Sequence, residues 1–297
     1  MEDQCELVSS RGLLKSCTIH SSNPQSSEPK DINHLNSMQQ VENMSIYVNS
    51  HALRNFVDKY LDKINVSFYL VSGDSDLAIP YEALTNVQFE KLIKNDMLVA
   101  WYAQNLTLTN FPKVNPLPIG LDYHTIGSDP NHWWKMHNEK HMPIDQEALL
   151  KKLHSNSLNI DKRPLKIFSN VHLSLDRYGE RRKASNIIPS NLLSKVNGFR
   201  SRSQTWELNC NHAFILSPYG NGYDCHRTWE ALNLGAVPIV RAPKFKKLFE
   251  GLPVLNVENW EDVTEKLLKD TVRKVEAGTY SLDKLKLSYW TRQFNPK

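Results

Sequence analysis

The window 211–240, NHAFILSPYGNGYDCHRTWEALNLGAVPIV, concentrates the residue types that phosphate binding needs. It reads as an apolar strand, a glycine-bearing loop, a helix, a glycine turn and a second apolar strand. Gly220 and Gly222 let the backbone come close to a ligand, and the helix that follows offers unpaired N–H groups at the positive end of its dipole. Arg227 stands at that helix start and adds a full positive charge suited to a diphosphate. Glu230, three residues on, shares its helix face, and a carboxylate there can accept hydrogen bonds from the vicinal hydroxyls of a ribose. The same spacing also fits a plain strand–turn–helix capped by Asp224 or Thr228, with Arg227 and Glu230 paired on the surface.

A second chemical signal is FYLVSGDSD, an apolar strand running into Asp74 and Asp76. A carboxylate at a strand's carboxyl end can serve as a general base for a hydroxyl nucleophile. D-x-D after a strand also fits a divalent-metal motif bridging a diphosphate, and Asp/Gly clusters also make capped turns. The motif follows only the second strand of the first half, and a complete phosphate loop sits in the other half, so no metal is expected. His51, just after the first strand, is a reserve base or acceptor contact. His132, His137 and His141 read as an exposed histidine loop, since only the last two have helical spacing and Pro143 soon interrupts them. Trp133 and Trp134 could give an acceptor sugar a flat ring, or divide into a core anchor and a lid residue. Cys225 reads as a small loop residue, with no His/Asp partner in sequence to make it a nucleophile.

These residues must be positioned by a repeated alternation of strands and helices. The first series is strand 44–50, helix 52–64, strand 66–73, strand 96–102 and a short strand at PLPIGLD, 116–122. The second is strand 165–171, helix 177–188, strand 212–219, helix 228–234, strands 236–240 and 253–257, and an amphipathic helix over 260–276. Such alternation builds parallel sheets from βαβ units. The expected division is an N-terminal appendage over 1–41, partly flexible, whose stretch 21–40 is polar and lacks aromatics. A first Rossmann-like domain follows over 42–160, a second, which holds the glycine loop, over 161–279, and a C-terminal helix or tail over 280–297. The 297 residues carry 36 basic and 32 acidic side chains, a net +4 that is too mild to argue for nucleic acid. The four cysteines form no CxxC pair, which suggests a reduced compartment and no structural zinc. The N-terminus, MEDQCELVSS, is unlike a signal peptide, and no apolar run is long enough to span a bilayer, so a soluble, cytoplasmic protein is expected.

SPYGNGYDCHRTWEALNLGAVPIV resembles the nucleotide-sugar motif of exostosin-like glycosyltransferases. KIFSNVHLSLDRYGERRKA resembles the opening of that family's second domain, PLPIGLD the end of its first, and FYLVSGDSD its acceptor-side loop. The resemblance covers roughly 44–260, with only 211–240 highly specific. It implies a GT-B fold: two Rossmann-like, doubly wound α/β domains facing an interdomain cleft. Carried over, Arg227 holds the donor diphosphate, Glu230 the ribose, and Ser217, Gly220, Asn221 and Gly222 line the sugar and phosphate. Arg181 or Arg182, in the Glu-Arg-Arg run, is the second cation that a metal-free departure of the nucleoside diphosphate requires, and Arg182 is the expected donor contact. Asp74 is the expected base, and His51 and Asp76 are acceptor contacts.

The expected activity is therefore transfer of a sugar, xylose or another UDP-linked sugar, to a glycan acceptor, with inversion. No cofactor is expected beyond the UDP-sugar co-substrate, and no nucleic acid. The alternatives are a non-catalytic nucleotide- or phosphoglycan-binding protein on the same fold, and a metal-dependent transferase using Asp74 and Asp76.

Overall fold

The computed structural model describes residues 1–29, 32–135, 140–196, 198–278 and 280–295. The chain divides into two compact units, each a parallel β-sheet flanked by helices and Rossmann-like in its alternation. One unit comprises Glu2–Ile119, Gly222–Asp224 and Lys286–Lys297; the other is built on Gly120–Asn221 and Cys225–Leu285.

In the first unit, helix α1 (Ser10–Lys15) is capped by Ser9, which accepts from the Gly12 N–H at 3.1 Å. Strand β1 (Met44–Asn49), helix α2 (Leu53–Lys59), strand β2 (Phe68–Gly73), helix α3 (Asn86–Ile93), strand β3 (Leu98–Ala103) and strand β4 (Val114–Pro116) follow. The sheet runs in the order β1-β2-β3-β4, all parallel. Every residue of β1 is buried, as expected of a strand covered on both faces. Phe56 of α2 meets Phe68 of β2 edge-on, with centroids 6.3 Å apart.

The N-terminal segment expected as an appendage is built into this unit. Leu13 and Leu14 are fully buried, and Ile19 extends the sheet as a parallel bridge to Ile46 beside β1. The polar stretch after it is held by hydrogen bonds rather than apolar contact. Ser26 and Ser27 bond to Asp74, and the Asn49 amide donates to the Gln25 carbonyl at 3.0 Å.

The second unit contains helices α4 (His124–Ser128) and α5 (Pro143–Ser155), strand β5 (Ile167–Ser169), helix α6 (Glu180–Ile187), strand β6 (Leu193–Lys195) and helix α7 (Arg202–Cys210). Strand β7 (Phe214–Leu216), helix α8 (His226–Asn233), strand β8 (Val237–Val240), helix α9 (Lys246–Phe249), strand β9 (Leu255–Asn256) and helix α10 (Glu265–Ala277) complete it. Residues 120–160, expected with the first domain, belong here. The last helix, α11 (Leu287–Phe294), returns to the first unit, where Phe294 packs on Tyr102 at 5.9 Å.

The strand order of the second sheet is β6-β5-β7-β8-β9, all parallel. The winding therefore reverses between β5 and β7. In open parallel sheets ligands bind beyond the carboxyl ends of the strands at such a reversal, because the two adjacent loops there part in opposite directions. The loops after β5 and after β7 are the ones this order selects, and the second carries Gly220.

Candidate functional site

The loop after β7 is pinned at its start. The Ser217 N–H donates to the Ile239 carbonyl at 2.9 Å, and the Ser217 and Thr228 hydroxyls share a 2.8 Å hydrogen bond. That bond ties the loop to the first turn of α8. Gly220 is needed for a different reason: a Cβ there would collide with the guanidinium of Arg181.

Arg181 is the residue that α6 brings to the loop. Its side chain is only 7% exposed, and Nη1 donates to the His172 carbonyl in the loop after β5 at 2.9 Å. Arg182, the expected donor contact, is exposed; one residue of helical rotation separates the two. Both backbone N–H groups are taken by the Asp176 carboxylate, at 2.9 and 3.0 Å, which spends that acid on the α6 N-terminus. Glu180 is spent too, on Arg241 at 3.0 Å and on the Trp260 indole N–H at 2.9 Å.

Arg227 faces the same corner from α8. Burial first, and then the positive charge of Arg181, push its pKa below the usual arginine value. Nη1 of Arg227 and Nε of Arg181 are closed off from solvent and have no hydrogen-bond partner among the described residues. No ion pair joins Arg227 to Glu230 among those residues, so the surface-pair reading of their spacing does not describe this helix. Two guanidinium groups that repel one another and each keep a buried donor without a partner among the described residues are costly by themselves. An anion with several oxygens, such as a diphosphate, would satisfy both. His172 belongs to this corner as well. Partial desolvation, then Arg227 and Arg181, lower its imidazole pKa below the ordinary value.

Asn221 is half-buried in the same loop. Gly222 belongs to the first unit, where a Cβ would stand 2.9 Å from Oδ1 of Asp76 and 3.1 Å from Nδ2 of Asn105. Asp224, next along, is an anchor. Its N–H donates to Asn105 Oδ1 and its carboxylate accepts from the Ile119 N–H, both at 2.8 Å.

Asp74 and Asp76 part company. Asp76 is exposed, whereas Asp74 is buried with φ +54°, a left-handed conformation that Asp and Asn tolerate better than most residues. The Asp74 carboxylate accepts from the Ser26 hydroxyl at 2.8 Å and faces Arg11 Nε at 3.9 Å, and its N–H donates to Gln104. This arrangement ties the N-terminal segment to the loop after β2 and buries the carboxylate. Asp74→Asn is accordingly expected to keep the fold and lower stability by about 1–3 kcal/mol in urea unfolding, with nucleotide affinity unchanged. Unchanged stability together with a severe loss of turnover would return Asp74 to the base role.

His51 lies half-buried just after β1, where its N–H donates to Asn49 Oδ1 at 3.0 Å. His132 lies tilted against Trp133 and meets Trp134 edge-on, and the Arg202 guanidinium lies 5.0 Å over the Trp134 ring. Trp133 is 56% exposed beside Phe199. His137 lies outside the described residues. Cys225 is the residue before α8 and directs its thiol to the Pro218 carbonyl at 3.6 Å. Among the described residues no group of three or more His, Cys, Asp or Glu side chains is placed to hold a metal ion. Nor is any helix among them long and apolar enough to cross a membrane.

Sequence reasoning missed one charged cluster in the second unit. Asp122 is paired with Arg202 at 2.9 Å and with His124 Nδ1 at 3.2 Å. His226, the first residue of α8, bonds the Gly120 carbonyl through Nδ1 at 2.7 Å, and its ring lies 6.3 Å from that of His124. Burial works to raise the Asp122 pKa, but Arg202, His124 and His226 outweigh it and hold the carboxyl far below the usual range. A usable signal existed for the helix that supplies Arg202. Ser201 and Gln204 form a capping box before a stretch bearing Trp206, and both arms of the box are made.

No family model matches this chain, and no curated protein matches it. The general likeness is architectural: two parallel sheets in a mixed α/β chain, an arrangement consistent with nucleotide-binding and transferase-like proteins.

Proposed function

We propose that the corner formed by Gly220, Arg181 and Arg227 binds the diphosphate of a nucleotide sugar, and that the protein is a glycosyltransferase resembling the exostosin-like family. The observation that carries this reading is the pair of guanidinium groups with buried, unused donors at the carboxyl ends of β5 and β7. In this reading the two arginines take the phosphate oxygens and stabilise the nucleoside diphosphate as it leaves. Glu230, three residues along α8 from Arg227, accepts from the ribose hydroxyls, and Asn221 lies along the sugar. His51 and Asp76, at the carboxyl ends of strands in the first sheet, are proposed as acceptor contacts. The base role expected of Asp74 is not carried forward, because its carboxylate is buried, with Oδ1 accepting from Ser26 and Oδ2 facing Arg11 Nε at 3.9 Å. The donor is a UDP-sugar and the acceptor a glycan, as the resemblance implies.

A thermal-shift series with uridine, UDP and UDP-sugars, with and without EDTA, tests this. Ligand at 100 times its Kd stabilises the folded state by about 2.7 kcal/mol, which is readily visible as a rise in Tm. The expected result is a larger shift for UDP than for uridine, unchanged by EDTA, and slow release of UDP from a UDP-sugar that is incubated alone. Equal shifts for uridine and UDP would remove the diphosphate from the site.

A further inference from the structure

We propose that His172 is the third cationic group of the anion corner, and that a diphosphate binds there together with one proton taken up on the His172 imidazole. The inference rests on the nucleotide-diphosphate reading of this corner and goes beyond it by assigning a residue and a proton.

The geometry begins with the sheet order. His172 lies on the loop after β5 and Gly220 on the loop after β7, the two loops that flank the reversal of winding. Arg181 links them: Nη1 holds the His172 carbonyl, while the other end of the guanidinium fills the space that Gly220 leaves open. His172 is exposed and so remains reachable by a ligand.

The charges around it are one-sided. The charges of Arg227, on α8, and Arg181, on α6, both disfavour a protonated imidazole, and Arg181 also holds the His172 carbonyl. Asp176, on the same loop, is occupied by the N–H groups of Arg181 and Arg182. Glu180 is held by Arg241 and Trp260, and Glu230 lies on the α8 side, where it acts on Arg227. Arg177 rests over the Tyr178 ring at 5.4 Å. Without an anion the protonated form of His172 is therefore disfavoured. A diphosphate between Arg181 and Arg227 reverses the local field, and its oxygens accept a hydrogen bond from the imidazolium. The proton comes from the buffer and goes onto the ring-nitrogen lone pair; no covalent bond is made or broken.

The sign follows from linkage. If the bound state holds the proton more tightly than the free state, affinity is highest at low pH and falls as pH rises from the free-state to the bound-state pKa. Each unit by which binding raises that pKa corresponds to about a tenfold difference in affinity between the two limits. UDP itself titrates in this range, so the informative quantity is the difference between variants.

Calorimetry with UDP near pH 7, in buffers of different ionisation enthalpy, counts the protons taken up. Wild type is expected to take up more than His172→Gln, and to lose up to about tenfold more affinity between about pH 6 and about pH 8. His172→Arg, with a permanent charge, is expected to match the proton count of His172→Gln and to bind more tightly than wild type near pH 8. Equal proton counts for wild type and His172→Gln, with UDP still bound, would overturn the role of His172 and leave the donor site standing. Absence of UDP binding to wild type at every pH would overturn both.

Discussion

Arg227→Ala is expected to weaken UDP binding by about 2–4 kcal/mol, roughly 30- to 1,000-fold in Kd, while leaving the protein at least as resistant to heat as before. The affinity loss follows from what the guanidinium would supply: a charge-assisted contact in a desolvated corner, where such contacts are strongest. The stability half follows from what it lacks. Nη1 of Arg227 has no partner among the described residues, the strongest charge acting on it is the like charge of Arg181, and burial already penalises its ionised form. Removing it relieves the repulsion from Arg181 and the burial of a donor that is unsatisfied among the described residues, against the loss of the weaker attraction to Glu230. Glu230→Gln is expected to act on the ribose and so to weaken uridine and UDP alike. Arg182→Ala should change neither, since that side chain points to solvent. Calorimetry and thermal denaturation of the three variants decide the point. A loss of Tm with Arg227→Ala and no loss of affinity would make Arg227 an ordinary structural residue.

The strands were legible because their apolar runs are short, dense and bounded by turn residues. FYLVSG, LVAWYA and FIL lie close to where their patterns put them. Helix α8 was legible because a glycine loop and a glycine turn bracket it. What could not be read was which way a residue faces when neighbours in sequence share a chemistry. Arg181 and Arg182 are indistinguishable in a charge run, and only the helix phase set by Asp176 and Glu180 turns the first inward. Asp74 and Asp76 are similar: a left-handed residue turns Asp74 into the protein, where Ser26 and Arg11 meet it. Those partners lie about fifty and sixty residues away in sequence, beyond the reach of any local pattern. The N-terminal segment was difficult for the opposite reason. Its polar half is held by side-chain and main-chain hydrogen bonds to β1 and β2, which leave no trace in hydrophobicity.

The cluster around Asp122 carries the largest effect expected on stability. Arg202→Met is expected to cost about 3–5 kcal/mol, because it leaves the Asp122 carboxylate buried without its main counter-charge. It also removes the donor to Gln146 Oε1 and the cation over Trp134. Asp122→Asn should cost less at neutral pH, since an amide can still accept from the Thr125 N–H, which bonds Asp122 Oδ1 at 2.9 Å. Combining the two substitutions should recover part of the Arg202→Met loss, because the orphaned charge is then gone. The pH dependence identifies the source. A carboxyl held below its ordinary value contributes stability that is complete above about pH 4 and drains away as pH falls, since the unfolded chain takes up a proton that the folded chain refuses. The gap in stability between wild type and Asp122→Asn should therefore be widest near neutrality and narrow steadily below about pH 4. Urea unfolding of the four proteins at several pH values reads both results. A gap that stays constant down to about pH 2 would mean that Asp122 stabilises through packing and hydrogen bonds, and that its charge contributes little.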